Sequence, residues 1–342
     1  METSFVPPSI PRENAFNAIR LLLCLVVLFM HTLGVVGIVN PYVLDGHMAV
    51  CGFFIMSGFW VTKSYFASEN LKTFFLKRAR KILPMYYISV IAFSLICLYF
   101  SDLPAKEYFC SDYFKYLFWN CIFLNFMHPS LPGCFAGGAV NGALWTIKIE
   151  IAFYLLLPLV LYFWKKMKGS VRKNIFLGIL YVLSVLYNLL LKRYSERLSL
   201  PSQLEHQLPG FISFFVSGMF IFLNWNLFLK IKNWLVIPSV AVYVLHYITK
   251  TEILFPFALA VIIVWASLLC KNLSCIGSDM DFSWGIYLFH FPLMKILYFC
   301  VDGNVNIPVY VASVLGISFM LTFIAEKYIQ GTLKNHRRFL QS

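Results

Sequence analysis

The sequence is poor in charge, and poorest in negative charge. Only 13% of its 342 residues are Asp, Glu, Lys or Arg, with 15 acidic side chains against 28 basic ones. So sparse a charged complement leaves too little polar surface for a water-soluble enzyme of this length, which excludes the soluble globular classes. The nine cysteines, at 24, 51, 97, 110, 121, 134, 270, 275 and 300, include no CxxC pair, and His, Cys and carboxylates nowhere cluster at metal-ligand spacing. No metal site and no tightly bound cofactor is expected. Most of these cysteines lie in apolar runs and read as small core residues; Cys110 and Cys134 share one loop, which leaves a disulfide between them open. No repeat relates the two halves, and no matched pair of Gly- or Pro-broken helices marks a transporter site.

What abounds is apolar surface. Hydrophobic residues make up 60% of the chain and aromatics 18%, with mean hydropathy +0.75, the composition of a polytopic membrane protein. Apolar runs fall near 15–39, 47–67, 82–101, 113–128, 142–164, 175–191, 208–225, 234–248, 253–270, 281–300 and 306–329. They recur to the C-terminus, so one integrated bundle is expected, with no soluble domain at either end. The net charge of +13 sits in short clusters between these runs, where positive-inside bias places it, so no nucleic-acid partner is expected. The first run is too long, and too close to the second, to be a cleaved leader, and is expected to stay in the mature protein.

Charge then arbitrates topology. The linker 63–81 holds Lys63, Lys72, Lys77, Arg78, Arg80 and Lys81 against Glu69 alone, and 165–173 (KKMKGSVRK) is as basic. Both belong in the cytoplasm, with the N-terminal tail 1–14. An even number of crossings must separate them, yet three runs lie between. The weakest, 113–128, carries Lys115, Asn120, Asn125 and His128 and precedes the Pro- and Gly-rich PSLPGCFAGGAVNG. The span 102–141 therefore reads as an external loop that dips partly into the membrane. The prediction is an all-α bundle of about ten transmembrane helices over 15–329, with both termini cytoplasmic and 330–342 a tail. Lys230, Lys232, Lys271, Lys334, Arg337 and Arg338 then fall inside, and Asp45, Asp102, Glu107, Asp112 and Asp302 outside; 192–207, with Lys192, Arg193 and Arg197, lands outside against the charge rule.

Four stretches put polar groups at or beside membrane depth, where they are costly. In the first run, Arg20 and His31 are eleven residues apart, about 16 Å in depth and nearly on one helix face. In FFLKRARKILPMYY (74–87), Lys and Arg crowd an inner helix start, which serves topology and equally suits the phosphates of a nucleotide-like donor. In LWTIKIEIAFYLLLP (144–158), Trp145 sides with Lys148, while Glu150 lies about 200° around from Lys148. In SWGIYLFHFPL (283–293), Ser283, Tyr287 and His290 recur at i, i+4 and i+7 and share a face. Each stretch also admits a structural reading. Arg20 can snorkel to the inner interface, Glu150 can be one half of a structural ion pair, and the last stripe can be a helix contact with Pro292 bending the chain. His31 is too deep to snorkel but can bond a neighbouring helix. His31, Glu150 and His290 all reach the middle third from different helices. A histidine there serves as general base on a hydroxyl or accepts an acyl group itself, with a carboxylate fixing its tautomer.

Five stretches occur in order: Arg20 followed after eleven residues by His31, GFFIMSGF (52–59), KRARKILPMY (77–86), LWTIKIEIAFYLLLP (144–158) and SWGIYLFHFP (283–292). Together they resemble the acyltransferase 3 membrane proteins, which O-acylate extracytoplasmic sugars, and the resemblance spans nearly the whole chain. It implies a ten-helix bundle among the lipids of a bacterial inner membrane. It further implies acyl-CoA, usually acetyl-CoA, as co-substrate from the cytoplasm, and a glycan or lipid-linked sugar as acceptor on the far side. His31 matches the family's first-helix histidine and Arg20 its companion; the 77–81 cluster matches its paired-arginine motif, and Trp145 and Glu150 the ends of its Trp-Ser-Leu-x-x-Glu motif. Asn17 stands where Asp is usual and Thr146 replaces Ser. The arginine pair is Arg78 with Lys81, or Lys77 with Arg80, and lysine keeps the charge but loses the bidentate fork on phosphate.

The expected activity is membrane O-acyl transfer. His31 and Glu150 are the catalytic candidates, Arg20, Arg78, Arg80 and Lys81 those for the CoA phosphates, and Trp145, Lys148, Ser283, Tyr287 and His290 those for the acceptor. His31 would either activate the acceptor hydroxyl for direct attack or carry the acyl group transiently. The rival is a transporter or flippase of a lipid-linked saccharide, which would move substrate without consuming CoA; a sensor or scaffold without turnover is a third reading.

Overall fold

The computed structural model describes residues 5–38, 45–199, 201–278 and 280–339, with side chains as far as 329 apart from Ser202. Its regular elements are all helical: α1 (Phe16–Val35), α2 (Gly46–Phe66), α3 (Leu71–Ile96), α4 (Ala105–Tyr108), α5 (Ser111–Cys121), α6 (Trp145–Lys166), α7 (Ser170–Tyr194), α8 (Leu208–Leu223), α9 (Trp225–Thr249), α10 (Phe255–Leu269), α11 (Phe282–Cys300) and α12 (Ile307–Phe339), joined in places by single 3₁₀ turns. Residues 1–4 of the expected tail, Val39 at the end of the first run, and the side chains of Lys334, Arg337 and Arg338 lie outside the described residues.

Every run assigned to the membrane is a helix. Among the described residues seven, in α1, α3, α6, α7, α8, α9 and α12, are long and apolar enough to cross on their own. α2 and α11, at 21 and 19 residues, have the length but a more polar make-up, and α10 has 15 residues. The run at 113–128 yields only α5, 11 residues or about 16 Å, well short of a bilayer core of about 30 Å. Several helices outrun their apolar stretch. α3 begins at Leu71 and takes the basic cluster 77–81 into its first turns, α9 begins at Trp225, and α12 continues to Phe339 through what reads as a tail. Lys and Arg are good helix formers whose long stems reach interfacial water, so backbone hydrogen bonding does not stop where hydropathy does.

The chain gathers into two compact units: residues up to Arg20, Met48–Leu76 and Ile149–Ile276 form one, and Leu21–His47, Lys77–Lys148 and the stretch from Gly277 onward form the other. In the first, α7 lies on α8, α8 on α10 and α10 on α9. α2 crosses α8 at two glycines. A Cβ on Gly58 would stand 1.9 Å from the Phe215 carbonyl oxygen, and one on Gly218 1.9 Å from that of Ile55, the close backbone approach that small residues permit between membrane helices. Phe153 stacks on Phe215 with centroids 4.2 Å apart, and Phe54 packs on Phe153 and Phe211. Polar side chains tie the rest. Asn174 and Asn224 exchange two hydrogen bonds of 3.3 and 3.1 Å, and Ser184 Oγ donates to the Pro209 carbonyl at 2.6 Å. The Ala15 N–H, ahead of α1 and without a partner inside it, donates to Ser267 O on α10 at 2.8 Å.

In the second unit α11 and α12 pack together, Gly285 so close to Thr322 that a Cβ would lie 2.4 Å from its Cγ2. The segment 102–141 is pinned to α3 by tyrosine hydroxyls. Tyr108 donates to Ser94 O at 2.6 Å, Tyr86 to Asn120 O at 2.8 Å and Tyr87 to Cys121 O at 3.1 Å, while the Tyr113 hydroxyl meets Ser94 Oγ at 3.2 Å. On the exposed face of α5, Lys115 pairs with Asp112 at 2.8 Å and by hydrogen bond and charge holds its carboxyl below the usual range. The disulfide left open between Cys110 and Cys134 is not made. Both thiols are free, and Cys134 is buried with its Sγ against the Cys97 carbonyl at 3.3 Å.

Gly218→Val should destabilise the α2–α8 crossing by about 1–3 kcal/mol through overpacking, read as a lowered melting temperature in detergent. Gly178→Val on α7, where an added Cβ meets nothing within 4 Å, should melt like the parent. Equal melting of the two variants would refute the close crossing.

Candidate functional site

The arrangement richest in chemistry belongs to the second unit and starts from a proline. Pro292 sits inside α11 and has no N–H to give the Leu288 carbonyl one turn back. Buried backbone oxygens need donors, more so in a membrane, where water cannot supply them. Two side chains answer: Asn141 Nδ2 donates to Leu288 O at 2.8 Å and Ser89 Oγ at 3.3 Å. Asn141 is itself locked, its Oδ1 accepting the Ala143 N–H at 3.1 Å. Next to it, Gly142 lies under the Phe291 ring, where a Cβ would come 2.5 Å from Cζ. Beyond that, Ala143 O accepts the Tyr287 hydroxyl at 3.1 Å, which also meets Thr146 Oγ1 at 2.8 Å. Residues 141–146 thus grip α11 on both sides of His290.

His290 is fully buried, at 0% exposure, and its partner is His31. The His31 Nδ1 to His290 Nε2 distance is 2.9 Å. The two rings lie within 3° of parallel with centroids 5.2 Å apart, as an N–H···N bond lying in both ring planes requires. His290 Nδ1 stands 3.1 Å from Ile286 O. A carbonyl only accepts, so that nitrogen carries the proton, His290 Nε2 is the acceptor, and His31 Nδ1 donates to it. The proton order runs from His31 to His290 to the backbone of α11 and leaves His31 Nε2 with its lone pair. The group fixing the tautomer of His31 is therefore a second histidine, where a carboxylate was expected. Phe291 closes one side edge-on at 5.2 Å.

The remaining candidates divide by place. Ser283 is buried at the start of α11 and donates to Asp281, while its own carbonyl accepts Cys24 Sγ from α1 at 3.2 Å. Asp281 also meets Lys81 Nζ at 3.4 Å. Arg78 is half-buried, whereas Lys77, Arg80 and Lys81 are exposed; positions 78 and 81, three apart, share a helix face. Trp145 and Lys148 are half-buried near the start of α6, with Lys148 Nζ 4.4 Å above the Phe126 ring. One turn into α11 beyond His290, Lys295 donates to Ala139 O at 2.8 Å and lies 5.1 Å from the Phe135 ring. In the first unit, Glu150 Oε1 accepts Ser57 Oγ at 2.6 Å, and Arg20 is half-buried. Lys148 and Glu150 do face different neighbours, as their angular separation requires. Among the described residues no group of three His, Cys, Asp or Glu side chains could hold a metal ion.

Asn141, Ser89, Asp281 and Ser57 were not among the sequence candidates. Pro292 signals that a carbonyl four residues earlier needs a donor, but nothing local says that a residue 147 positions away supplies it.

The chain is matched over residues 13–326 by the family model of acyltransferase 3, described as an acyltransferase domain. It is 27% identical over 176 residues to nodulation protein 10 of Rhizobium leguminosarum bv. viciae, covering 46% of this chain and 47% of that protein, so the chain spans about half the length of this relative. It is 25% identical over 302 residues to an O-acetyl transferase of Shigella phage Sf6, covering 84% of this chain and 86% of that one. No solved structure matches it.

Asn141→Ala and Ser89→Ala each leave Leu288 O one donor, and each should cost about 0.5–1.5 kcal/mol. The double variant bares the carbonyl and should exceed the sum of the singles by about 1 kcal/mol. Thermal unfolding of the four proteins in detergent reads this, and strict additivity would mean that the two donors do not share the carbonyl.

Proposed function

We propose, from the premise that this chain belongs to the acyltransferase 3 family, that it is a membrane O-acyltransferase moving an acetyl group from cytoplasmic acetyl-CoA to a hydroxyl of an extracytoplasmic glycan or lipid-linked sugar. The observation that supports it best is the His31–His290 pair. An imidazole whose Nδ1–H is committed to an acceptor, with its Nε2 lone pair free, is the state a general base needs. The acetyl group as cargo is suggested by the printed name of the phage relative.

In this reading the hydroxyl proton of the acceptor passes to His31 Nε2 as its oxygen attacks the thioester carbonyl, and the CoA thiolate leaves and takes that proton back. His290 accepts from His31 Nδ1 throughout and steadies the imidazolium that forms. Arg78 and Lys81, on one helix face, hold the CoA phosphates, with Arg80 at the same helix start. Trp145 and Lys148 supply the acceptor side, an aromatic face and a cation suited to a sugar. Arg20 and Glu150 enter through the family motifs they match. Ser283 and Tyr287, buried and bonded within the unit, shape α11 behind the reacting groups.

The decisive experiment is release of free CoA thiol from acetyl-CoA by purified protein in nanodiscs with a cell-derived glycan extract. The parent should release CoA, and His31→Ala should lose about 10²-fold or more at unchanged melting temperature. His290→Leu, which removes the acceptor for Nδ1–H, should lose activity about as severely. His290→Gln, which returns an acceptor oxygen, should recover part of it. Substrate movement with no CoA release by the parent would replace this reading with that of a carrier. A trapped acyl-histidine would replace direct attack with transient acylation of His31.

A further inference from the structure

Two cysteines that acyl transfer does not use face each other at the join between α3 and the segment 102–141. The chain after α3 and the stretch 131–134 lie in close contact. Asp102 N–H donates to Gly133 O at 3.0 Å, Ser101 Oγ to Pro132 O at 2.9 Å and Cys134 Sγ to Cys97 O at 3.3 Å. Gly133 holds φ at +64°, and a Cβ on it would come 2.5 Å from Ser101 Oγ, so the approach leaves no room for a side chain there. Cys97 and Cys134 are both 0% exposed, with the Cys134 thiol turned onto residue 97.

We propose that Cys97 and Cys134 form a disulfide in the mature protein, a staple that fixes the external segment to the end of α3. It rests on the placement of 102–141 outside the cytoplasm, where thiols are oxidised, and is independent of what the enzyme acylates. One S–S bond forms as two S–H bonds break. Two protons are released, and the two electrons reduce the disulfide of a thiol–disulfide exchange partner to its dithiol. Because the folded thiols are out of reach of any oxidant, the exchange accompanies docking of the segment, and the finished bond is shielded from reductants. The staple lies just before Ala139, Asn141, Gly142 and Ala143, the residues that grip α11 about His290. Fixing position 134 therefore fixes the approach of that grip.

The test is differential alkylation. Cells producing the full chain are acid-quenched, and the protein is denatured in detergent with one maleimide, then reduced and alkylated with a heavier one before peptide mass spectrometry. The expected result is the heavier label on Cys97 and Cys134, a linked peptide in the unreduced sample, and the first label on Cys97 in Cys134→Ser. First label on both cysteines of the parent overturns the proposal, as does Cys97 still blocked in Cys134→Ser. Cys110, half-buried in the same segment, reports its side. Labelling of intact cells by a membrane-impermeant maleimide is expected, and labelling only after permeabilisation overturns the proposal together with its premise.

Discussion

A single missing N–H organises the second unit. Pro292 deprives the Leu288 carbonyl of its helical donor, and in hydrocarbon an orphan carbonyl costs far more than it does at a wet surface. The fold meets this cost with side chains from two other places in the chain, Asn141 before α6 and Ser89 in α3. Both are thereby drawn to the bend in α11. The ring of Phe291 then fits over Gly142, and the Tyr287 hydroxyl finds Ala143 O. His290, between Tyr287 and Pro292, has no freedom left to turn away from His31.

The same economy explains why two histidines face each other inside a membrane protein. A buried imidazole must place both ring nitrogens, one as donor and one as acceptor. In series, Ile286 O takes the His290 proton and His290 takes that of His31, so both members are neutral and only the last lone pair is unspent. A carboxylate in the place of His290 would orient His31 equally well, but it would bring a full charge that burial penalises heavily. The neutral relay yields the same tautomer without that charge.

How much of this was legible in the sequence follows from range. Hydropathy and charge are local, so the runs became helices, and the odd run at 113–128 could be set aside because its polar residues break the pattern; α5 is correspondingly short. The helices α9 and α12 run beyond the apolar stretches that mark them, because hydropathy measures lipid exposure, whereas helices continue through Lys and Arg. The i, i+4, i+7 stripe placed Ser283, Tyr287 and His290 on one face, which holds, but not what that face meets. That contact is decided by Asn141 and His31, 147 and 259 positions from their partners on α11, and no periodicity carries information over such a distance. The expectation of a carboxylate beside His31 failed for the same reason, since the group 2.9 Å from its Nδ1 is His290.

The basic start of α3 shows what lysine does where two arginines would be usual. Lys81 is held at 3.4 Å by Asp281, which also accepts the Ser283 hydroxyl at the first turn of α11. An ammonium is a point charge with three rotatable donors. One of its N–H groups stays on Asp281 while the other two can turn elsewhere. The ion pair suits a cation at the edge of an apolar bundle, because it gives Lys81 a counter-charge within 3.4 Å.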